Sequence, residues 1–236
     1  MKKYVAEMTN KGGYTIVELL VAIAISGIFM GTIYSAYTSQ QRATLGQEQV
    51  SAMHRNLRSA MYFIEKEIRM AGCDPTGTAS ALIKTAQNNG IRFTLDITDD
   101  TGSGNPDGDT ADAGENIGYY LNGSDLFRDL TDDGDDTNGN RIAENIDAIN
   151  FVYLDADGNN IADDGLGNVT DPENRAKIRS VQVTVVARTG KQDPHYSDSK
   201  DYKNKQNETI FAPSDDGVHF RRKLVSTNIK CRNLGL

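Results

Sequence analysis

From Tyr14 to Tyr34 the chain is almost unbroken apolar sequence, relieved only by Thr15, Glu18, Ser26, Thr32 and two glycines. A helix of about 20 such residues is long enough to cross a bilayer. After Tyr37 the pattern turns polar but keeps a helical step. Val50, Met53, Leu57, Ala60, Ile64, Ile68 and Ala71 recur every three or four residues, while Arg55, Arg58, Glu65, Lys66 and Arg69 fall mainly off that line. Gly72 suits a helix C-terminus, and Pro75 bars continuation. The spacing predicts one helix from about Thr15 to about Ala71. Its first half is suited to lipid or a protein core, and its second half packs one apolar stripe.

Beyond the helix the period changes to two. Residues 91–97 alternate, 118–128 read as a hairpin turning at Asn122-Gly123, and 149–154 form a further run. Val181, Val183 and Val185 alternate within 178–188, and 220–230 reads as a last strand; 99–116 and 190–216 read as long loops. A long helix followed by strands predicts an α+β fold with an antiparallel sheet laid on the helix stripe.

The balance of charge narrows the function. The 236 residues carry a net charge of −8, against the basic face expected of a nucleic-acid binder. The acids concentrate between Asp96 and Asp136, where Arg128 is the one base. Such a block is either solvated surface or a cation site. Aromatic residues are sparse and Trp is absent, which does not suggest a large catalytic pocket. His54, His195 and His219 show no spacing to Cys, Ser or Asp that marks a catalytic set, and no phosphate-binding glycine loop is present. Cys73 and Cys231 are too few and too far apart for a zinc site. If the folded part lies outside the cytoplasm they are candidates for a disulfide, with two unpaired buried thiols as the other reading.

The N-terminus holds the most specific pattern. Residues 1–13 are polar, with Lys2, Lys3 and Lys11, and end in Gly12-Gly13. A secretory signal peptide would place its small-residue cleavage site after the apolar run, not before it. A plain membrane anchor leaves Glu18 unexplained, because a carboxylate there costs about 2.5–3.5 kcal/mol on insertion scales. The string Gly13-Tyr-Thr-Ile-Val-Glu18-Leu-Leu-Val-Ala resembles the cleavage and methylation motif of type IV pilins and type II secretion pseudopilins, with Tyr14 where Phe is usual. The resemblance implies cleavage between Gly13 and Tyr14 by a prepilin peptidase and N-methylation of Tyr14. It also implies that Glu18 neutralises the N-terminal amine of a neighbouring subunit. Farther on, Glu67-Ile-Arg-Met-Ala-Gly72, the Tyr-Tyr-Leu-Asn-Gly hairpin and the order of the runs at 145–153 and 178–183 resemble PilW-type minor pilins. Pseudopilin J of type II secretion has a related layout.

The resemblance implies a type IV pilin-like fold in four parts: a leader at 1–13, a transmembrane and filament-core segment at 14–37, an amphipathic continuation at 38–72, and a β-rich periplasmic or extracellular head at 73–236. It implies a structural rather than enzymatic role, as a minor pilin near the pilus tip that takes part in initiating assembly. The expected partners are the prepilin peptidase, the inner membrane crossed once before assembly, and other major and minor pilins in a hetero-oligomeric filament, with no nucleic acid. A pseudopilin of type II secretion and a calcium-dependent adhesin displayed on a pilus are the alternatives.

Two acidic segments align without gaps. Asp136, Asn138, Asn140, Ile142 and Glu144 match Asp155, Asp157, Asn159, Ile161 and Asp163. Oxygen side chains at positions one, three, five and nine, with a backbone carbonyl at seven, are the ligand layout of a calcium loop. Asp147 falls at position twelve of the first segment, whereas Leu166 takes that place in the second. The glycine stands at position four rather than six. Calcium is therefore the expected cofactor at one or both segments, with a pair of Asx turns as the alternative. A third run, Asn105-Pro-Asp107-Gly-Asp109, shows less of the pattern.

Overall fold

A computed structural model describes residues 12–131 and 139–235. The leader up to Lys11 and the expected ligands Asp136 and Asn138 lie outside the described residues. The long helix, α1, spans Ile16–Met70, within a residue of the limits set by the apolar pattern. Two compact units divide the chain between Gln47 and Glu48, ten residues beyond the expected change at 37/38. In the first unit the described side chains are almost all exposed. In the second, the predicted stripe is the heart of the core. Met53, Leu57, Ala60, Ile64, Ile68 and Ala71 are buried, joined by Met61, with Val50 half-buried. The helix ends as Gly72 takes φ +75, a left-handed turn that favours glycine. Its N–H leaves the helix and donates to the carbonyl of Thr94 (3.0 Å).

Among the described residues ten antiparallel strands follow. β1 (Ile83–Ala86), β2 (Gly90–Thr94), β3 (Asn116–Asn122), β4 (Asp125–Asp129) and β5 (Asn140–Ala143) pair in chain order as a five-stranded sheet. β6 (Ile146–Leu154), β7 (Ser180–Arg188) and β10 (Arg222–Lys230) form a second sheet with β7 in the middle. β8 (Tyr202–Lys203) and β9 (Thr209–Phe211) form a two-stranded ribbon. A short helix, α2 (Pro172–Ala176), is capped by the Asp171 side chain. The expected single sheet is thus two sheets sharing one core. The helix stripe meets Phe93, Ile117, Tyr119 and Leu126 from the first sheet and Phe151, Tyr153, Val181, Val183 and Val185 from the second.

Three details depart from the sequence reading. In the β3–β4 hairpin Asn122 pairs with Asp125, so the two-residue loop is Gly123-Ser124, one position later than expected. Gly123 at φ +61 supplies the positive φ that such a loop needs at its first position. The segment 190–216 is not a plain loop. Its ribbon covers the outer face of the second sheet, where Ala148, Val186 and Tyr202 form a smaller core with Ile210, Phe211 and Leu224 beside it. Strand β7 is consequently buried on both faces, and its polar outer residues are satisfied sideways, Gln182 by Gln206 (2.9 Å) and Thr184 by Ser226 (2.9 Å).

A charged clamp ties α1 to the first sheet. Glu67, off the apolar stripe, accepts from Arg128 Nε (3.0 Å) and Nη2 (2.7 Å) and from the Tyr119 hydroxyl. Burial, reinforced by the Glu67 charge, pushes the Tyr119 hydroxyl far above its ordinary range, so it remains a donor. Both members of the ion pair are mostly buried, at 23% and 15% side-chain exposure, which removes much of the solvent screening that weakens surface pairs. Glu67→Ala is expected to cost about 2–3 kcal/mol, the range for a hydrogen-bonded charge losing its partner. Urea unfolding of the full chain in detergent measures it. A double-mutant cycle with Arg128→Ala should show coupling above roughly 1 kcal/mol, and strict additivity would contradict the clamp.

Candidate assembly site and acidic segments

Ahead of α1, Gly12 and Gly13 are exposed, and a Cβ on either would meet nothing within 4 Å. Tyr14 is 92% exposed. The Gly13–Tyr14 peptide is therefore open to a protease. From Ile16 onward Leu19, Leu20, Ile23, Ile25, Ile28, Phe29, Met30 and Ile33 all face outward. By length and composition this helix is long and apolar enough to cross a membrane, and none of its apolar stretch is buried. At about 1.5–3 kcal/mol per large apolar side chain, removing these from water is worth on the order of tens of kcal/mol. One carboxylate at about 2.5–3.5 kcal/mol cannot outweigh that.

That carboxylate has a local partner. Glu18 Oε2 accepts from the backbone N–H of Thr15 (2.9 Å) and from its hydroxyl (2.9 Å), while Thr15 Oγ1 accepts from the Glu18 N–H (3.2 Å). This is a capping box, in which two otherwise orphaned helix N-terminal donors are satisfied reciprocally. The Thr-x-x-Glu spacing of such a box is legible in the sequence at Thr15 and Glu18.

The second acidic segment is a tight turn joining Leu154 to Asn160. Asp155 Oδ1 accepts from the N–H groups of Asp157 and Asn159 (both 2.9 Å), and Gly158 takes φ +82. Asp157 and Asn159 are exposed, whereas Ile161 is buried and its N–H donates to Tyr153 (3.0 Å). Asp163 accepts from the Gly165 N–H (2.7 Å), and Asp164 closes a similar turn onto Asn168. In the first segment, Asn140 and Ile142 belong to β5. Glu144 is exposed and gives its backbone carbonyl to Asn56. Asp147 sits in a polar network, paired with Arg188 (3.1 Å) and Arg222 (2.6 Å), the latter also reaching Asp198 (3.4 Å).

Carboxylates converge elsewhere, in the loop between β2 and β3. Ligand-capable oxygens of Asp100, Asp107 and Asp112 lie within 4.8 Å of one another, as do those of Asp109, Asp112 and Glu115. Burial, with the charges of Asp107, Asp100, Glu115 and Asp109, pushes the Asp112 carboxyl up to about 6. Asp99, at the edge of the loop, is the opposite case: hydrogen bonds from Ser103 and Thr101 hold it well below the usual carboxylate range.

Cys73 and Cys231 are free thiols in the structure and both border the main core. The C-terminal segment returns to the end of α1, where the Arg232 N–H donates to the Arg69 carbonyl (3.3 Å). Burial pushes the Cys231 thiol up to about 12 and raises that of Cys73, which keeps both from being thiolate nucleophiles at neutral pH. Of the histidines, His54 lies half-buried on α1, His195 follows Asp193, and His219 Nδ1 donates to the Tyr196 carbonyl (2.7 Å).

A long N-terminal helix on an antiparallel head is the type IV pilin architecture. A type IV-like pilin from Thermus thermophilus superposes with TM-score 0.54 at 11% identity, covering 78% of this chain and 97% of that one. Residues 8–34 match the prokaryotic N-terminal methylation motif. Residues 116–233, half of the chain, match the family described as type IV pilus-assembly protein W, and the chain belongs to that family. None of the curated proteins matches it.

The position of Asp147 gives a specific expectation. Asp147→Ala should lower stability by about 2–3 kcal/mol, because it removes the carboxylate paired with both Arg188 and Arg222, and by the same amount in calcium as in chelator. Thermal unfolding in both buffers measures it, and a loss seen only in calcium would contradict the ion-pair role.

Proposed function

We propose that this chain is a minor type IV pilin that takes part in starting the filament and sits near its tip. The prepilin peptidase cuts between Gly13 and Tyr14, Tyr14 is N-methylated, and the subunit waits in the inner membrane with its head outside the cytoplasm. It then leaves the bilayer for the filament, where its helix packs against those of other pilins. The observation that supports this most strongly is the fully exposed apolar helix, preceded by a polar leader ending in two accessible glycines. A lone carboxylate follows as the fifth residue after the cut. Lys2, Lys3 and Lys11 favour a cytoplasmic N-terminus. The match to a pilus-assembly family supports the filament role.

On this reading Glu18 changes partner. In the subunit it bonds to Thr15, and in the filament it meets the amine of a neighbour, since a charge buried there must be paired. Two substitutions separate the roles. Glu18→Ala removes both cap and charge, whereas Glu18→Gln retains a capping-box side chain and loses only the charge. Both variants should insert and be cleaved normally. Both should fall by roughly tenfold or more in sheared filaments, which requires only about 1.4 kcal/mol of lost pairing. Wild-type incorporation of Glu18→Gln would assign Glu18 to the helix cap and overturn its amine-pairing role.

A further inference from the structure

We propose that the loop between β2 and β3 is a calcium site, with Asp109, Asp112 and Glu115 as ligands and Asp100 and Asp107 gathered on Asp112 beside it. The decisive group is Glu115. It is 0% exposed, and its Oε1 is fixed by the N–H groups of Ile97 (2.7 Å) and Thr98 (2.9 Å). Its Oε2 is buried with no hydrogen-bond partner, and Asp112 Oδ2 is in the same condition. A buried carboxylate oxygen left unpaired is costly, more so when it is ionised. The fold nonetheless holds Glu115 rigidly in that state, beside Asp109 and Asp112. A cation supplies the missing partner for both orphaned oxygens at once.

The dimensions fit. Calcium binds oxygen at 2.3–2.6 Å, so ligands on opposite sides of the ion lie about 4.8 Å apart. In each of the two carboxylate groups the oxygens lie no farther apart than that, so one ion can touch all three. Asp109, Asp112 and Glu115, some bidentate and with waters added, can reach the six to eight oxygens that calcium takes. All are hard carboxylate ligands, which disfavours zinc and copper. Irregularly spaced ligands on a glycine-rich loop also suit calcium better than magnesium, which demands near-ideal octahedral geometry. Lys84 lines a depression with Asp109 and Asp112 and brings a positive charge to that side of the cluster.

Binding would reach beyond the loop. The Glu115 carbonyl accepts from the Leu95 N–H (3.0 Å), and Asp96 N–H donates to the Cys73 carbonyl (2.7 Å) just past the end of α1. Thr76 Oγ1 reaches Asp96 (3.0 Å), and Thr78 Oγ1 donates to the Gly108 carbonyl (3.3 Å). An ion at Glu115 would therefore tighten the junction where the helix enters the first sheet. This site stands independently of the position of the subunit in a filament.

The test uses the full chain in detergent, stripped with chelator and titrated with calcium chloride by calorimetry, with thermal unfolding in parallel. The wild type should bind calcium saturably, within the roughly 10⁻⁴–10⁻³ M range of extracellular sites or tighter, and melt higher in its presence. Asp112→Asn and Glu115→Gln should each weaken binding by at least roughly tenfold, the loss that even outer-shell substitutions cause. Asp155→Asn/Asp157→Asn should bind as the wild type does. In chelator Asp112→Asn should melt no lower than the wild type, because it removes repulsion, whereas a merely structural residue would lose stability in both buffers. No saturable binding up to about 10 mM calcium would overturn the site. Binding that survives at Asp112 and Glu115 but is lost at Asp155 and Asp157 would move the ion to the other segment. Equal binding of magnesium would overturn the assignment to calcium.

Discussion

Water is the environment that the segment from Ile16 to Tyr37 cannot tolerate. Its large side chains are apolar and outward-facing all around the helix, so a membrane or a sheath of similar helices must cover them. On the proposed reading both occur in turn, and the segment exchanges lipid for protein without exposing its surface. A carboxylate in such a segment is tolerable only when bonded. The capping box with Thr15 gives Glu18 a partner inside its own chain, so the charge need not enter the apolar layer bare. The same geometry leaves the carboxylate at the first turn of the helix, within reach of whatever N-terminus approaches it.

The second half of the helix solves a different problem. It carries one apolar stripe, and two sheets close over it. The stripe provides most of the adhesion, since each fully buried Leu or Ile side chain contributes about 1.5–3 kcal/mol. The Glu67–Arg128–Tyr119 clamp supplies orientation, fixing the rotation of the helix against β3 and β4. The other side of the head is closed by the 190–216 segment. Without it, Val186, Ala148 and the rest of the outer face of β7 would face solvent.

Much of this was legible because periodicity is a property of single elements. The α1 limits, its stripe, the β3–β4 hairpin and the strands at 146–154, 180–188 and 222–230 are all written in local spacing. The misses were relationships between distant segments. Strands β1 and β5 are only four residues long, too short to show alternation. Gln182 and Thr184 look like solvent-facing positions until the ribbon covers them. Glu67 looks like an ordinary surface acid, and Asp147 like a calcium ligand, until their arginines, 61 and 75 residues away, are seen. Convergence of carboxylates is another such relationship. The ligand spacing at Asp155–Asp163 is legible in the sequence, and in the fold its leading carboxylate turns toward its own backbone. The carboxylates that do converge are spread over Asp100 to Glu115 with irregular spacing, and the buried member is recognisable only by its unsatisfied oxygen.

The most direct measurement is the intact mass of the protein recovered from its native membranes and from sheared pili. A chain beginning at N-methylated Tyr14 in both fractions is the expected result, and the same spectrum reads the redox state of Cys73 and Cys231. A full-length, unmethylated chain in cells with an active prepilin peptidase, absent from the pili, would contradict the central claim and reduce the N-terminal helix to a simple membrane anchor.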